Sequence, residues 1–99
     1  MSVPTTFDEA TKIAADPDIL KVSYSDKQKL YGFFKIVSTS SATPTDERPG
    51  MFYLEKRAKW DAWQAAGETI PADCPDIVEV AKLNYLNIVR VAMGAEALK

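Results

Sequence analysis

Apolar residues recur at helical spacing in four stretches of this chain, and no stretch alternates convincingly as a half-buried strand would. The first begins at Thr6-Phe7-Asp8-Glu9, which fits a capping box: the threonine oxygen accepts from a free helix amide and Glu9 reciprocates. Phe7, Ala10, Thr11 and Ala14 then fall at i, i+3, i+4 and i+7, one face of a short helix that should stop before Pro17. The second helix is expected from about Ser25, where Ser25-Asp26-Lys27-Gln28 is also box-like. Its predicted core stripe is Leu30, Phe33, Phe34 and Val37. Gly32 inside that helix costs about 1 kcal/mol relative to alanine, so something should pack close against it.

From Ser38 to Met51 the chain turns to Ser, Thr, Pro and Asp and closes on Arg48-Pro49-Gly50. A loop of this length in a small domain usually has a function or moves. A third helix is predicted from about Phe52 to Ala66, with Gly67 as the residue just past its end. After a second loop, marked by Pro71 and Pro75, the last helix should run from about Pro75 to Met93, with Gly94 beyond it. Val78, Ala81, Tyr85, Ile88 and Ala92 would line one of its faces. No repeat, low-complexity tract or linker divides the chain. The pattern predicts an all-α fold in one domain spanning residues 1–99.

Composition narrows the function classes. Ninety-nine residues suffice for one core, and 46% hydrophobic with 26% charged residues is ordinary for a soluble globular protein. The N-terminus has neither a basic nor an apolar leader region, and no apolar run reaches membrane-spanning length, so a cytoplasmic location is expected. A pI near 5.0 argues against a nucleic-acid partner. The absence of histidine removes the commonest general base and metal ligand, so no metal or cofactor is expected. The single cysteine, Cys74, excludes an internal disulfide and sits in ADCPD without a basic neighbour to activate it. No nucleophile–base set suggests an enzyme.

Against the net charge of −2, the run Arg48 to Trp63 stands out. It places Lys56, Arg57, Lys59, Trp60 and Trp63 on one short helix, and between Glu55 and Lys59 the glutamate offsets only one of the three cations, a local basic cluster suited to one anionic ligand with a flat or greasy part. Lys56–Trp60 and Lys59–Trp63 are i, i+4 pairs, as are Tyr31 and Lys35 in the second helix. Taken singly, each lysine fits a solvated face, and at least one tryptophan belongs to the core.

The order of these words is more specific than any one of them. LYGFFK, then a loop ending ERPGM, then KRAKWDAW, resembles the acyl-CoA-binding protein family. That family reads LYxxYKQ, then NxxRPGM, then a KAKWDAW-type helix start. The match runs from about Phe7 to Val89 and includes a family-like AKLNYL in the last helix. The resemblance implies a four-helix bundle of up-down-down-up topology with a long connection between helices 2 and 3. It implies non-catalytic binding, buffering and transport of long-chain fatty acyl-CoA esters. By position, Tyr31, Lys35 and Lys59 correspond to contacts with the 3′-phosphate of the CoA adenosine, Tyr85 to the tyrosine packed against adenine, and Trp60 to the tryptophan beside the ligand. Phe7 and Ala10 fall where the first helix helps cover the bound molecule.

Departures are local. Glu55 stands where the family usually has lysine, Lys56 where it has glycine, and Phe34 replaces a common tyrosine. The loop before Arg48 and the span from Trp63 to Tyr85 are longer than in the family. The expected partners are the ester itself and, transiently, acyl-CoA-using enzymes or membrane surfaces, with the protein a monomer. A reading of another class, a helical protein-interaction module that kept the fold and lost the ligand, rests on Glu55 and the longer loops.

Overall fold

Helix ends in this protein are set by caps and close contacts more than by the apolar period. The computed structural model describes residues 3–98, with α1 over Phe7–Ala14, α2 over Tyr24–Thr39, α3 over Leu54–Glu68 and α4 over Ile77–Ala92. No strand occurs among the described residues.

α1 begins as the sequence predicts. Thr6 is in extended backbone and its hydroxyl oxygen accepts from the Glu9 amide at 3.2 Å. Glu9 reciprocates toward Thr5 rather than toward the cap's own amide, accepting from the Thr5 amide at 3.4 Å and its hydroxyl at 3.1 Å. These bonds hold the Glu9 carboxyl below its usual pKa. The helix stops before Pro17, as expected.

α2 starts earlier than Ser25. Ser23 is the cap, accepting from the Asp26 amide at 3.2 Å. Two serines two residues apart compete for the role, and Ser23 has Asp26 at the N3 position. The core stripe also rotates: Leu30, Phe33 and Ile36 are buried, whereas Phe34 is 44% exposed and Val37 half-buried. The reason is that α2 packs on two neighbours, α3 and α4, so its buried arc extends past one stripe to include Gly32 and Ile36.

α3 starts at Leu54 rather than Phe52, because the Tyr53 amide closes a turn onto the Gly50 carbonyl at 3.0 Å. Gly67 lies inside its last turn, not beyond it. A Cβ there would run into the carbonyl oxygen of Ala42, so this glycine admits the loop. α4 starts at Ile77, capped by Asp76, whose carboxylate accepts from the Glu79 amide at 3.2 Å. Its buried face is Ala81, Tyr85, Leu86 and Val89; Val78 and Ile88 are only half-buried and Ala92 is exposed. Gly94 follows the end with φ +85°, a left-handed turn that glycine adopts freely.

α2 and α3 run parallel. The Lys59 ammonium lies over the Tyr31 ring at 5.4 Å and the Lys35 ammonium over the Trp63 ring at 5.3 Å, so pairing advances in the same direction on both helices. Between these pairs, a Cβ on Gly32 would strike the Ala62 carbonyl and come within 2.8 Å of the Ala66 methyl. That is the close approach the sequence anticipates. Parallel neighbours need a long return, and residues 40–53 supply it. Ser40 leaves α2 in left-handed backbone at φ 56°, and the chain then runs back along α3. The early residues of this return meet the later part of α3, Ser41 at Trp63 and Ala42 at Gly67, and its later residues meet an earlier part, Asp46 at Trp60 and Arg48 at Asp61. α1 packs on α4, and the buried side chains form one cluster centred on Phe33, Ile36, Trp63, Tyr85 and Val89.

Gly67→Ala should lower stability despite the better helix propensity of alanine. Propensity returns about 1 kcal/mol, whereas displacing a backbone carbonyl costs about 1–3 kcal/mol. Urea unfolding should show a reduced midpoint for Gly67→Ala and little change for Gly50→Ala, where an added methyl meets open space.

Candidate ligand-binding site

The parallel register of α2 and α3 creates a cavity of about 210 Å³ at their seam. Tyr31 and Lys35 reach it from α2, and Lys56, Lys59 and Trp60 from α3, while Asp46, Glu47 and Pro49 of the loop form its outer wall. Four of the sequence-nominated residues, Tyr31, Lys35, Lys59 and Trp60, therefore share one cavity. Trp63 closes its base and is only 4% exposed, a core residue as its spacing suggests.

The wall is fastened to α3 by side chains of the KWDAW segment. The Trp60 indole N–H donates to the Asp46 carbonyl at 2.9 Å, and the Trp63 indole N–H to the Ser41 carbonyl at 3.0 Å. Each such bond contributes about 1 kcal/mol net. Arg48 donates from Nε and Nη2 to the two oxygens of Asp61, both at 2.8 Å, a planar fork that fixes orientation as well as distance. The hydrogen bonds from Arg48 hold the Asp61 carboxyl below its ordinary value, and the same bonds raise the guanidinium further.

Charge in the cavity is mixed. Lys35, Lys56 and Lys59 bring three cations, against the carboxylates of Asp46 and Glu47. Lys59 also contacts Glu55 at 3.4 Å, an exposed i, i+4 pair that an incoming anion can displace at small cost.

The other nominated residues gather elsewhere, where α1, α2 and α4 meet. Phe7 and Tyr85 pack edge to face with ring centres 5.0 Å apart, and Phe34 lies 6.4 Å from Phe7 and 6.5 Å from Tyr85. Burial raises the Tyr85 phenol pKa. Tyr85 and Phe34 border a second depression with Thr11, Lys27 and Leu30. Lys27, Tyr31, Phe34 and Lys35 fall at i, i+4, i+7 and i+8, so one face of α2 joins the two depressions. Ala10 is completely buried, in the helix that packs on α4.

Sequence reasoning gives Lys56 no individual contact, yet it lines the cavity. It also passes over Asp46, Glu47 and Pro49. No local pattern marks them, because their loop is brought to the site by contacts across 13 and 14 positions, Arg48 to Asp61 and Asp46 to Trp60. The described residues include no group of three or more side chains suited to hold a metal ion.

Comparison with known proteins identifies the relatives of this arrangement. The sequence profile described as acyl CoA binding protein matches residues 4–76, ending at the cap of α4, so Tyr85 lies beyond it. An acyl-CoA-binding protein of Brassica napus is 33% identical over 91 residues, covering 91% of this chain and 83% of that protein. An acyl-CoA-binding protein of Fritillaria agrestis is 42% identical over 67 residues, 66% of this chain and 71% of its own. The crystal structure of Oryza sativa acyl-CoA-binding protein 2 superposes with a TM-score of 0.65 at 30% identity, covering 88% of this chain and 89% of that one.

The fork makes loop docking sensitive to acid. Asp61 has a depressed folded pKa, so its contribution is present above the ordinary value of 3.8 and is lost as pH falls through the depressed one. At neutral pH, Asp61→Asn should cause the same loosening. NMR should then show faster solvent exchange of the Trp60 indole proton, with the buried Trp63 indole little affected.

Proposed function

Because this chain belongs to the acyl-CoA-binding protein family, we propose that it binds, buffers and carries long-chain fatty acyl-CoA esters in the cytoplasm without altering them chemically. The observation that carries the reading is the register that delivers Tyr31, Lys35 and Lys59 to one cavity from two helices.

In this proposal the two ammonium groups and the Tyr31 hydroxyl hold the 3′-phosphate of the CoA adenosine, with Lys56 adding charge at the rim. A charge-assisted hydrogen bond contributes about 1.5–3 kcal/mol net, enough for two lysines to anchor the nucleotide end. Trp60 presents ring surface beside the ligand, its polar edge being engaged by the loop. Phe34, Phe7 and the edge of Tyr85 offer aromatic surface to the adenine along the same face of α2. An acyl tail gains about 0.8 kcal/mol per methylene removed from water, so chain length tunes affinity. The family matches do not favour an interaction module without ligand.

Calorimetric titration should give equimolar binding of a long-chain acyl-CoA that weakens as the acyl chain shortens. Equally weak binding of free CoA and the long-chain ester would sink the reading. Lys35→Ala and Lys59→Ala should each cost about tenfold in affinity and flatten its salt dependence. Asp46→Asn removes a carboxylate from the wall and should tighten binding about two- to fivefold.

A further inference from the structure

Met51, Phe52, Tyr53 and Leu54 are consecutive apolar or aromatic residues with 66%, 92%, 60% and 75% of their surfaces exposed. The turn that closes Tyr53 onto Gly50 pushes them out at the start of α3, and the Tyr53 side chain makes no capping bond. No other stretch of described residues exposes so many large apolar side chains in succession. This is a projecting tip rather than a groove, a shape that inserts into a soft interface better than it receives a helix or strand.

Its charge is equally distinctive. Arg48 is occupied by Asp61 and Lys59 contacts Glu55, but Lys56 and Arg57, directly behind the tip, take part in no ion pair among the described residues. The Lys56 ammonium sits over the Tyr53 ring at 5.7 Å, next to the apolar surface. A chain with net charge −2 thus carries cations behind its most exposed apolar segment. Aromatic and aliphatic side chains backed by lysine and arginine suit the boundary between anionic head groups and acyl chains.

We propose that residues 51–54, with Lys56 and Arg57, form a docking tip for anionic lipid bilayers. Lys56 also lines the cavity, so docking holds the cavity mouth close to the head groups. The assignment of a purpose to the tip, collecting or delivering an amphiphilic ester at the membrane, rests on the carrier reading above; the docking itself does not.

Cosedimentation with phosphatidylcholine vesicles, with and without phosphatidylserine, tests it. The native chain should bind the anionic vesicles and lose binding as salt rises. Phe52→Ser with Leu54→Ser should weaken binding about tenfold or more while leaving acyl-CoA affinity in vesicle-free buffer unchanged. Arg57→Gln should weaken it less and reduce the salt dependence. Failure of the native chain to bind either vesicle, or undiminished binding by the double variant, overturns the proposal. So does a concentration-dependent dimer that the same two substitutions dissolve, because a second copy would then be the occupant. Vesicle binding that survives while calorimetry finds no acyl-CoA binding leaves the tip standing and removes the carrier reading.

Discussion

The contact on which the arrangement depends is the close approach of α2 and α3 at Gly32. With no Cβ there, the helix can lie against the Ala62 carbonyl and the Ala66 methyl. Any larger residue would spread the seam and separate Tyr31 from Lys59 and Lys35 from Trp63, the pairs that border the cavity on either side. The roughly 1 kcal/mol that glycine costs in a helix is therefore exchanged for helix proximity. Packing and binding geometry are settled by the same missing methyl.

Parallel orientation follows with its own requirement. Two parallel helices cannot be joined by a tight turn, so the connection must travel a helix length, and a bare loop of that length would leave its backbone groups and its entropy cost uncompensated. The KWDAW segment answers both needs. Its two indoles and Asp61 grip the returning chain at Ser41, Asp46 and Arg48, and Gly67 lets Ala42 settle onto the helix. What the sequence presents as a cluster of charge and indole proves to be largely a set of fasteners, with Lys56, Lys59 and the Trp60 ring left to face the cavity.

Much of the fold is legible in the chain because it is local. Four helical periods, the Thr6 box and the close packing at Gly32 can all be read without a partner in view. Helix starts are less legible, since Ser23 and Ser25 offer nearly equivalent caps and only the surrounding structure chooses. Which flank of α2 is buried depends on its having two neighbours, and one stripe cannot express that; Phe34 and Ile36 exchange places as a result. Tyr31, Lys35, Lys59 and Trp60 are nominated by family resemblance and do meet in one cavity. Ala10 is nominated by the same route and is buried in the core. Asp46, Glu47 and Pro49 are invisible to any local pattern, because a loop residue belongs to a site only through where the chain returns.

The fastening has a consequence for how such a chain can diverge. Both tryptophans donate to main-chain carbonyls, at Ser41 and Asp46, and a carbonyl is present whatever side chain occupies the position. The segment from Ser41 to Glu47 can thus exchange its side chains without releasing its hold on α3. Its path is inherited while its chemistry stays free. The outer wall of the cavity becomes a place where charge and shape can drift, generation by generation, without putting the fold at risk.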